Sequence, residues 1–310
     1  MPQTLTTLTV VPVPGHGAED VLVAEDGTVY TGTDDGSIFA VAPNGDLIRR
    51  VARTGGRPLG LAWLSDSEIL VCDARRGLLA LGLHDGAVRV LADSVRGQPF
   101  RFCNNAAVLD DGSIWFTDSS TRWGIDEWKS DLIEDTCTGR LLRLGPGQTD
   151  PDIVLDGLSF ANGVAGTADG SAVVVAETGH RRLRRVQVGG DRAGRAEVFV
   201  EDLPAHPDNI ALGSDGNIWV AYASPTDPTL TLLQTKAPPW LRGLVRRAPE
   251  AVKPKPKRTA RVAAFDSDGA LVLDVSAQAD TWQMATGVRE KGGRVWVGSL
   301  VEPAIAWFDL

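Results

Sequence analysis

The sequence is poor in cysteine, and this excludes two kinds of cysteine-based structure. Its 310 residues include three cysteines, Cys72, Cys103 and Cys137, with no CxxC spacing. Such a set predicts neither a cysteine metal cluster nor a disulfide framework, although a single bridge stays open. We therefore expect a reducing, cytoplasmic location.

Long apolar runs, a targeting segment and a basic surface are also lacking. No run of about 18 apolar residues could cross a bilayer, so we expect no transmembrane segment. The start "MPQTLTTLTVVPVPGHG" has no basic region followed by an apolar core, so we expect no signal peptide. The formal net charge is -9, whereas a nucleic-acid partner requires a basic surface. We expect no such partner, and the sequence does not indicate an oligomeric state.

Common catalytic motifs are missing as well. There is no HExxH, no nucleophile elbow and no glycine-rich phosphate loop that opens a helix. Two of the four histidines, His16 and His206, lie a few residues before the acidic residues Glu19 and Asp208. Loops could bring them near the same site, but the spacing alone assigns them no role.

The sequence does contain a repeat of two short apolar strands around a turn, usually Asp-Gly. The six copies are "EDVLVAEDGTVYTGTDDGSIFAV", "LGLAWLSDSEILVCDARRGLLAL", "NNAAVLDDGSIWFTDSS", "NGVAGTADGSAVVVAETGHRRLRRV", "NIALGSDGNIWVAYAS" and "TGVREKGGRVWVGSL". Asp-Gly turns are strong hairpin signals, and an interval of very roughly 40 to 75 residues covers propeller blades with insertions. Further strands such as "RLLRL" give about four strands per unit.

This pattern predicts an all-β, six-bladed β-propeller that occupies residues 1–310 as a single domain. The alternative, a β-sandwich, does not explain a repeat that aligns residue by residue. The last unit is one strand short, and "TLTVVPV" near the N-terminus could complete it and remove an exposed sheet edge. Insertions at residues 121–138 and 225–258 are predicted to form a lid with short helices, one of them placing Trp240 and Leu244 on one face. The basic run "RRAPEAVKPKPKR" is interpreted as a solvated connector, with a membrane-surface role as the lesser alternative.

One polar position recurs before the first strand of the units. In the aligned units it holds Glu19, Leu59, Asn104, Asn162, Asp208 and Thr286. The innermost strands of a propeller line its central channel, so four of these positions would present oxygen atoms to one another. Two carboxylates in a confined channel need a shared proton, a basic neighbour or a cation. Oxygen-only ligands favour Ca²⁺ over Mg²⁺ or zinc; the alternative is that these side chains only satisfy strand ends around water.

Two further alignments extend this hypothesis. Asn209 directly follows Asp208 and would supply a fifth oxygen. Asp20 and Asn105 align with each other one residue further along, and could serve a second, structural ion.

Several segments carry a family resemblance over nearly the whole chain. "LSFANGVAGTADGSAVVVAETGHRRLRRV", "DLPAHPDNIALGSDGNIWVAYAS", "DLIEDTCTGRLLRL" and "PPWLRGLVRRAP" resemble the strictosidine synthase-like family of six-bladed propellers. That family is grouped with senescence marker protein, gluconolactonase, paraoxonase and diisopropyl-fluorophosphatase, which are similar calcium-dependent propellers. The resemblance implies that calcium is ligated by Glu19, Asn104, Asn162 and Asp208, and Asn209 matches a further ligand of the paraoxonases.

The chain departs from this family at two positions. Paraoxonases have a catalytic histidine in the second blade, where this chain has Leu59. Strictosidine synthase uses a glutamate in the sixth blade, where this chain has Thr286, and it lacks the metal ring. We therefore expect neither histidine-based water activation at that position nor a Pictet–Spengler condensation.

The expected function is calcium-dependent hydrolysis of a lactone or a related carboxylic ester, as in lactonases and arylesterases, with phosphotriester turnover as a possible side activity. Calcium would act as a Lewis acid, and Asp208, or second Glu19, would accept a proton from water. Trp123, Trp128 and Trp240 are predicted to form an apolar pocket wall for a hydrophobic substrate. The alternatives are a structural calcium in a binding module, and a non-hydrolytic enzyme.

Overall fold

The computed structural model describes residues 3–5, 7–251, 253–277, 280 and 282–310. Six antiparallel sheets follow one another along the chain. The innermost strand of each sheet contacts the innermost strand of the next, and the sixth contacts the first, so the sheets form a closed ring. The predicted six-bladed β-propeller is confirmed.

The first three blades follow two N-terminal strands. Their bounds are β1 (Gln3–Leu5) and β2 (Thr9–Pro12); blade one, β3 (Val21–Val23), β4 (Val29–Gly32), β5 (Ser37–Val41) and β6 (Ile48–Arg53); blade two, β7 (Pro58–Ser65), β8 (Glu68–Asp73), β9 (Gly77–Gly82) and β10 (Val88–Ala92); a hairpin, β11 (Ser94–Val95) and β12 (Gln98–Pro99); blade three, β13 (Cys103–Val108), β14 (Ile114–Asp118), β15 (Gly139–Leu144) and β16 (Asp152–Leu158).

The other three blades complete the ring. Their bounds are, for blade four, β17 (Ala161–Gly166), β18 (Ala172–Glu177), β19 (Arg182–Gln187) and β20 (Ala196–Val200); for blade five, β21 (Ala205–Leu212), β22 (Ile218–Pro225), β23 (Ala260–Phe265) and β24 (Leu271–Ala277); for blade six, β25 (Ala285–Lys291), β26 (Arg294–Ser299) and β27 (Ala304–Asp309). Short 3₁₀ helices occupy Ile125–Glu127 and Gly190–Arg192.

The N-terminus closes the ring as predicted. Strand β2 pairs antiparallel with β27, with Val10 opposite Ala306, and supplies the fourth strand of blade six. The sequence pattern did not indicate the second N-terminal contact, in which β1 pairs parallel with β24 at the outer edge of blade five. Both pairings cover strand edges that would otherwise be open to another chain.

The hairpin turns explain why the Asp-Gly pairs recur. In blades one, three and five the glycines Gly27, Gly112 and Gly216 have positive φ values of 83°, 76° and 80°, which glycine adopts without steric cost. The preceding aspartate accepts a hydrogen bond from the backbone N–H two residues later; the Oδ1 atom of Asp26, for example, accepts from Thr28 at 2.9 Å. These short turns start the second strand of each blade in register.

Apolar side chains fill the space between neighbouring blades. Between blades five and six, for example, Trp219 and Val262 belong to the same buried cluster as Val288 and Val297. The repeat of alternating strand residues therefore becomes a series of inter-blade cores. All three cysteines are free thiols among the described residues.

The two predicted insertions contain three helices, which we call the cap: α1 (Trp128–Glu134), α2 (Pro228–Lys236) and α3 (Pro239–Arg247). Asp227 caps the N-terminus of α2 by accepting from Thr229 N and Leu230 N at 2.7 and 3.0 Å. Helices α1 and α3 are joined by an ion pair of Glu134 with Arg246 at 2.7 Å. No helix within the described ranges is long and apolar enough to cross a bilayer.

Candidate metal centre

β-Bulges place the polar residues in the channel. In β13 the chain advances three residues, from Cys103 to Ala106, while β14 advances two, from Asp118 to Phe116. Matching irregularities interrupt β17 between Ala161 and Val164 and β21 between Pro207 and Ile210. A bulge adds one residue, breaks the strict alternation of a strand and re-aims side chains. The bulged residues are three aligned polar residues and the residue that follows each of them: Asn104, Asn105, Asn162, Gly163, Asp208 and Asn209.

Hydrogen bonds on the amide nitrogens fix the direction of the amide oxygens. The Nδ2 atom of Asn104 donates to Ser119 Oγ at 2.8 Å, and that of Asn162 donates to Thr178 Oγ1 at 3.1 Å. Asn209 Nδ2 donates to Glu19 Oε1 at 3.1 Å, across 190 positions in the sequence. Because each nitrogen is held, each amide oxygen is left for another partner.

Those oxygens lack protein partners. Among the buried side-chain oxygens that have no hydrogen-bond partner in the described part of the chain, four belong to the proposed ligands: Glu19 Oε2, Asn104 Oδ1, Asn162 Oδ1 and Asn209 Oδ1. A buried polar atom without a partner costs free energy, and three such oxygens at aligned positions, with a fourth on the residue after Asp208, fit one common partner. Carboxylate and amide oxygens are the donor types that calcium takes, so the residues present fit this ion.

We call the proposed ligands Glu19, Asn104, Asn162, Asp208 and Asn209 the ring. The pKa values of its two carboxyl groups also fit a bound cation. Burial, and next the neighbouring Asp208, raise the pKa of Glu19 well above its ordinary value. Burial raises the pKa of Asp208 to about 7, against the opposing effect of hydrogen bonds from Asn162 and from the backbone of Asn209. Without a cation the two carboxylates are therefore held towards their protonated forms.

A basic neighbour of the ring was not anticipated from the aligned positions. The side chain of Arg57, two residues before Leu59, is buried, and its charge lowers the pKa of Glu19. Glu19 nevertheless keeps a raised pKa, because burial and Asp208 outweigh this effect. Arg57 thus balances only part of the negative charge.

The residue that directly follows each aligned position in the sequence alternates between a polar residue and glycine from blade to blade. Asp20 and Asn105 each form a hydrogen bond that joins their blade to the next. Asp20 Oδ2 accepts from Leu61 N at 2.9 Å, and Asn105 Oδ1 accepts from Val164 N at 3.0 Å. Arg289 donates to the same Asp20 oxygen at 3.4 Å. The proposed second ion at these residues stays a prediction, and the contacts give two of its expected ligand oxygens other partners.

Glycine takes this position at the interfaces between blades two and three and between blades four and five, where the next blade comes close to it. A Cβ atom on Gly163 would lie 2.7 Å from Asn209 Cα and closer still to Ile210 N, and one on Gly60 would lie 2.6 Å from Asn105 Cα. Only glycine lets the neighbouring blade approach this closely. Neither glycine had a role in the sequence-based argument.

Two of the six aligned positions add no side-chain oxygen that is free for a cation. Leu59 is fully buried in an apolar cluster with Phe102 and Phe160. Thr286 uses its hydroxyl to donate to the backbone carbonyl of Glu19 at 2.8 Å. The ring is therefore open on the side of blade two, where an apolar surface borders it.

Above the ring lies a pocket that also contacts the cap. Its polar floor contains Glu19, Asn104, Asn162 and Asp208, and its apolar wall contains Leu59, Phe102, Trp128, Leu132, Ile133, Phe160, Leu230 and Met284. This mixture of an apolar wall with a few polar groups is typical of small-molecule sites.

Of the three tryptophans expected in this wall, the structure places one there. Trp128 lines the pocket, whereas Trp240 lies on α3 with 71% of its surface exposed. The expectation for Trp123 is also wrong, because this ring stacks under the guanidinium of Arg246 and donates to Glu134 Oε2 at 3.2 Å. Buried phenylalanines and cap leucines build the wall instead, and no periodicity distinguishes those residues from ordinary core.

His206 also lines the pocket, although the sequence analysis assigned it no role. Its Nδ1 atom lies 2.9 Å from the carbonyl oxygen of Thr178. Because a carbonyl can only accept, Nδ1 carries the hydrogen and Nε2 keeps a lone pair. Nε2 is buried without a partner among the described residues, and the side chain lines the pocket. Burial lowers the pKa of His206, which favours this neutral form.

Comparison with known proteins gives two family matches. A family described as SMP-30/gluconolactonase/LRE-like region matches residues 34–227, and one described as strictosidine synthase-like, N-terminal, matches residues 3–41. Among similar proteins, STRICTOSIDINE SYNTHASE-LIKE 6 of Arabidopsis thaliana is 33% identical over 95% of this chain and 79% of its own. The adipocyte plasma membrane-associated protein of Rattus norvegicus is 31% identical over 95% of this chain and 84% of its own.

Solved structures share the fold. A gluconolactonase of Xanthomonas campestris superposes with a TM-score of 0.70 at 18% identity, over 98% of this chain and 89% of that one. A calcium-binding protein, regucalcin, of Agrobacterium tumefaciens gives a TM-score of 0.69 at 16% identity, over 99% and 95% of the two chains. At these identities the likeness shows the propeller alone.

Proposed function

This chain belongs to the family of strictosidine synthase-like and SMP-30/gluconolactonase/LRE-like propellers, and we propose that it is a calcium-dependent hydrolase of hydrophobic lactones or related carboxylic esters. One observation carries the proposal. Four buried oxygens, on Glu19, Asn104, Asn162 and Asn209, lack a partner among the described residues, and the first three of these residues line a largely apolar pocket.

The residues that would hold calcium are Glu19, Asn104, Asn162, Asp208 and Asn209. When bound there, the ion would supply Lewis-acid polarisation of an ester carbonyl and charge stabilisation of the developing oxyanion. The protein itself holds the amide oxygens in place through Ser119 and Thr178. The absence of a ligand side chain at Leu59 leaves one side of the ring open for a substrate oxygen.

Three side chains that line the pocket, the carboxylates of Asp208 and Glu19 and the imidazole of His206, can take the proton of an attacking water. Asp208 is our first choice, with Glu19 second as in the sequence-based hypothesis, because an ionised carboxylate beside the ion can accept a proton from water. The other group is His206, whose Nε2 lone pair is held in the pocket by the contact of Nδ1 with Thr178 O. A histidine in blade five would thus replace the histidine that Leu59 excludes from blade two.

The pocket wall supports a hydrophobic substrate. Leu59, Phe102 and Phe160 provide an apolar surface beside the ring, and Phe102 and Phe160 pack edge to face with centroids 5.3 Å apart. A sugar lactone would leave its hydroxyl groups without partners on such a wall. An alkyl or aryl ester would bury its carbon chain there.

A panel of alkyl lactones, aryl esters and phosphotriesters tests this function. Hydrolysis should require calcium, cease on chelation and return when calcium is restored. Asp208→Asn should lose both calcium binding and turnover, whereas His206→Gln should keep calcium binding and lose turnover only if His206 is the proton acceptor. Asp66→Asn, on an exposed turn, is the control for removal of one negative charge.

Two results would replace the proposal. Stabilisation by calcium with no turnover of any ester would indicate a binding module with a structural ion. Turnover of an ester that is equally fast after complete removal of calcium would contradict metal-dependent hydrolysis. The expected cytoplasmic location stays a prediction, since one of the similar proteins is described as plasma membrane-associated.

A further inference from the structure

A second cluster of metal-binding side chains lies away from the calcium ring, where the cap meets blade four. Asp135 ends α1 with a left-handed backbone (φ 50°), and Cys137 two residues later also has a positive φ of 48°. His180 lies in the turn between β18 and β19. One carboxylate oxygen, one thiol sulfur and one imidazole nitrogen from these residues all lie within 4.8 Å of one another.

The distances within this cluster match a tetrahedral site. His180 Nε2 and Cys137 Sγ each lie 3.5 Å from Asp135 Oδ1. Zinc binds oxygen and nitrogen at about 2.0 to 2.2 Å and sulfur at about 2.3 Å, so neighbouring ligand atoms of a tetrahedron are separated by roughly 3.3 to 3.8 Å. Both separations fall inside that interval without any movement of the backbone.

A second layer of contacts already orients the histidine ring. His180 Nδ1 lies 3.6 Å from Glu177 Oε2, on the side opposite to Asp135. Glu177 is fully buried; its Oε1 atom accepts from Arg182 at 2.6 Å and its Oε2 atom accepts from Ser159 N at 3.0 Å. A carboxylate behind a histidine is the usual arrangement for a metal-binding imidazole.

We propose that Asp135, Cys137 and His180 bind a Zn²⁺ ion that fastens α1 of the cap to blade four. The site goes beyond the hydrolytic function and is separate from the calcium ring. Its mixed oxygen, sulfur and nitrogen donors suit zinc and do not suit calcium, which takes oxygen ligands. Three protein ligands leave the fourth position to water.

The competing occupant of this site is a proton. Hydrogen bonds of the imidazolium to Asp135, Cys137 and Glu177 raise the pKa of His180 to about 11, so without a metal the residues form an ion pair. Zinc must displace the proton of the imidazole and that of the thiol, which pass to the buffer. The experiment therefore has to distinguish a metal–thiolate bond from an ion pair.

Cobalt(II) provides the spectroscopic probe, because thiolate-to-cobalt charge transfer absorbs in the near ultraviolet. The full-length, calcium-loaded protein should bind one equivalent of Co²⁺ with this band, and Zn²⁺ should remove it. Cys137→Ser should abolish the band, and His180→Gln should weaken Zn²⁺ binding by more than about 100-fold, since even an outer-layer partner contributes 10- to 100-fold. Cys72→Ala removes a fully buried cysteine outside the cluster and should keep the band.

Alkylation of Cys137 in the unaltered protein gives a second readout that does not depend on a variant's folding. Cys137 is partly exposed whereas Cys72 and Cys103 are buried, so mass spectrometry can follow its alkylation alone. Zn²⁺ at one hundred times its dissociation constant should slow this alkylation by about 100-fold, because only the metal-free fraction of the thiol can react. Absence of the band together with unprotected Cys137, or an unchanged band in Cys137→Ser, would overturn the site and leave the ion pair. Neither readout measures ester hydrolysis, so the two proposals can fail separately.

Discussion

The Asp208→Asn variant should stabilise the calcium-free protein, although it removes a proposed ligand. Burial raises the pKa of Asp208 from 3.8 to about 7, so the folded protein binds a proton more tightly than the unfolded chain does. The resulting penalty is absent below pH 4, grows between pH 4 and pH 7, and is complete above pH 7. The asparagine keeps the shape and carries no charge.

The size of this effect follows from the shift. About three pKa units, at 1.36 kcal/mol per unit, correspond to at most about 4 kcal/mol at pH 8. At pH 5, about one unit above the pKa of an unfolded aspartate, the same calculation gives about 1.5 kcal/mol. Chelated Asp208→Asn should therefore exceed the unaltered protein in free energy of unfolding, and by more at pH 8 than at pH 5.

Calcium should narrow the difference between the two proteins. An ion present at one hundred times its dissociation constant stabilises the protein that binds it by about 2.7 kcal/mol, and Asp208→Asn should lose most of that gain. Urea unfolding at pH 5 and pH 8, with chelator and with calcium, measures the free energy of unfolding of both proteins under these four conditions. If chelated Asp208→Asn is less stable than the unaltered protein at pH 8, or if calcium stabilises both proteins equally, Asp208 is not a buried carboxylate that serves calcium. Asp66→Asn should show neither effect.

Three further perturbations test the ring, the packing of the blades and the pocket. Calcium binding should tighten as pH rises from 5 to 8, because the raised pKa values of the two ring carboxylates mean that protons must leave first; a dissociation constant from calorimetry that stays constant over this range would contradict it. Gly163→Ala should cost about 1 to 3 kcal/mol or more, since its Cβ would press on Ile210 N, whereas Gly189→Ala, with no described atom within 4 Å of its Cβ, should leave urea unfolding unchanged. Trp128→Ala should raise KM for apolar esters about tenfold, a loss of roughly 1.4 kcal/mol, whereas Trp240→Ala on the exposed face of the cap should not; equal effects would show that the pocket wall is wrongly placed.

The ring was predictable because a propeller converts a sequence repeat into rotational symmetry. Residues at one position of each repeat must face one channel, so Glu19, Asn104, Asn162 and Asp208 could be grouped by alignment alone. The family matches confirm the resemblance on which their assignment also rests. Their role as ligands stays a proposal, supported by oxygen atoms that lack a partner among the described residues.

The direction of those side chains was not predictable. It depends on the bulges in the innermost strands and on partners such as Ser119 and Thr178, which the alignment treats as ordinary strand ends. The role of Gly163 was hidden for the same reason, since a missing Cβ matters only when the next blade is known to approach it.

The residues of the pocket wall were not predictable from the sequence either. Trp123, Trp128 and Trp240 all lie in insertions near the channel, yet only Trp128 lines the pocket. Helix packing decides which face of an insertion turns towards the pocket. The sequence pattern of a short amphipathic helix is the same whether its aromatic residue faces the pocket or the solvent.

The sequence by itself determined the fold, the number of blades, the closure by the N-terminal strand and the set of residues around the channel, because each of these follows from local periodicity repeated six times. Only the tertiary structure decided which buried oxygens and which nitrogen of His206 lack a partner among the described residues, and that Cys137 lies beside His180. Cys137 belongs to an insertion in blade three and His180 to a turn of blade four, and such a contact has no periodicity in the sequence. It arises from the packing of the cap on the ring.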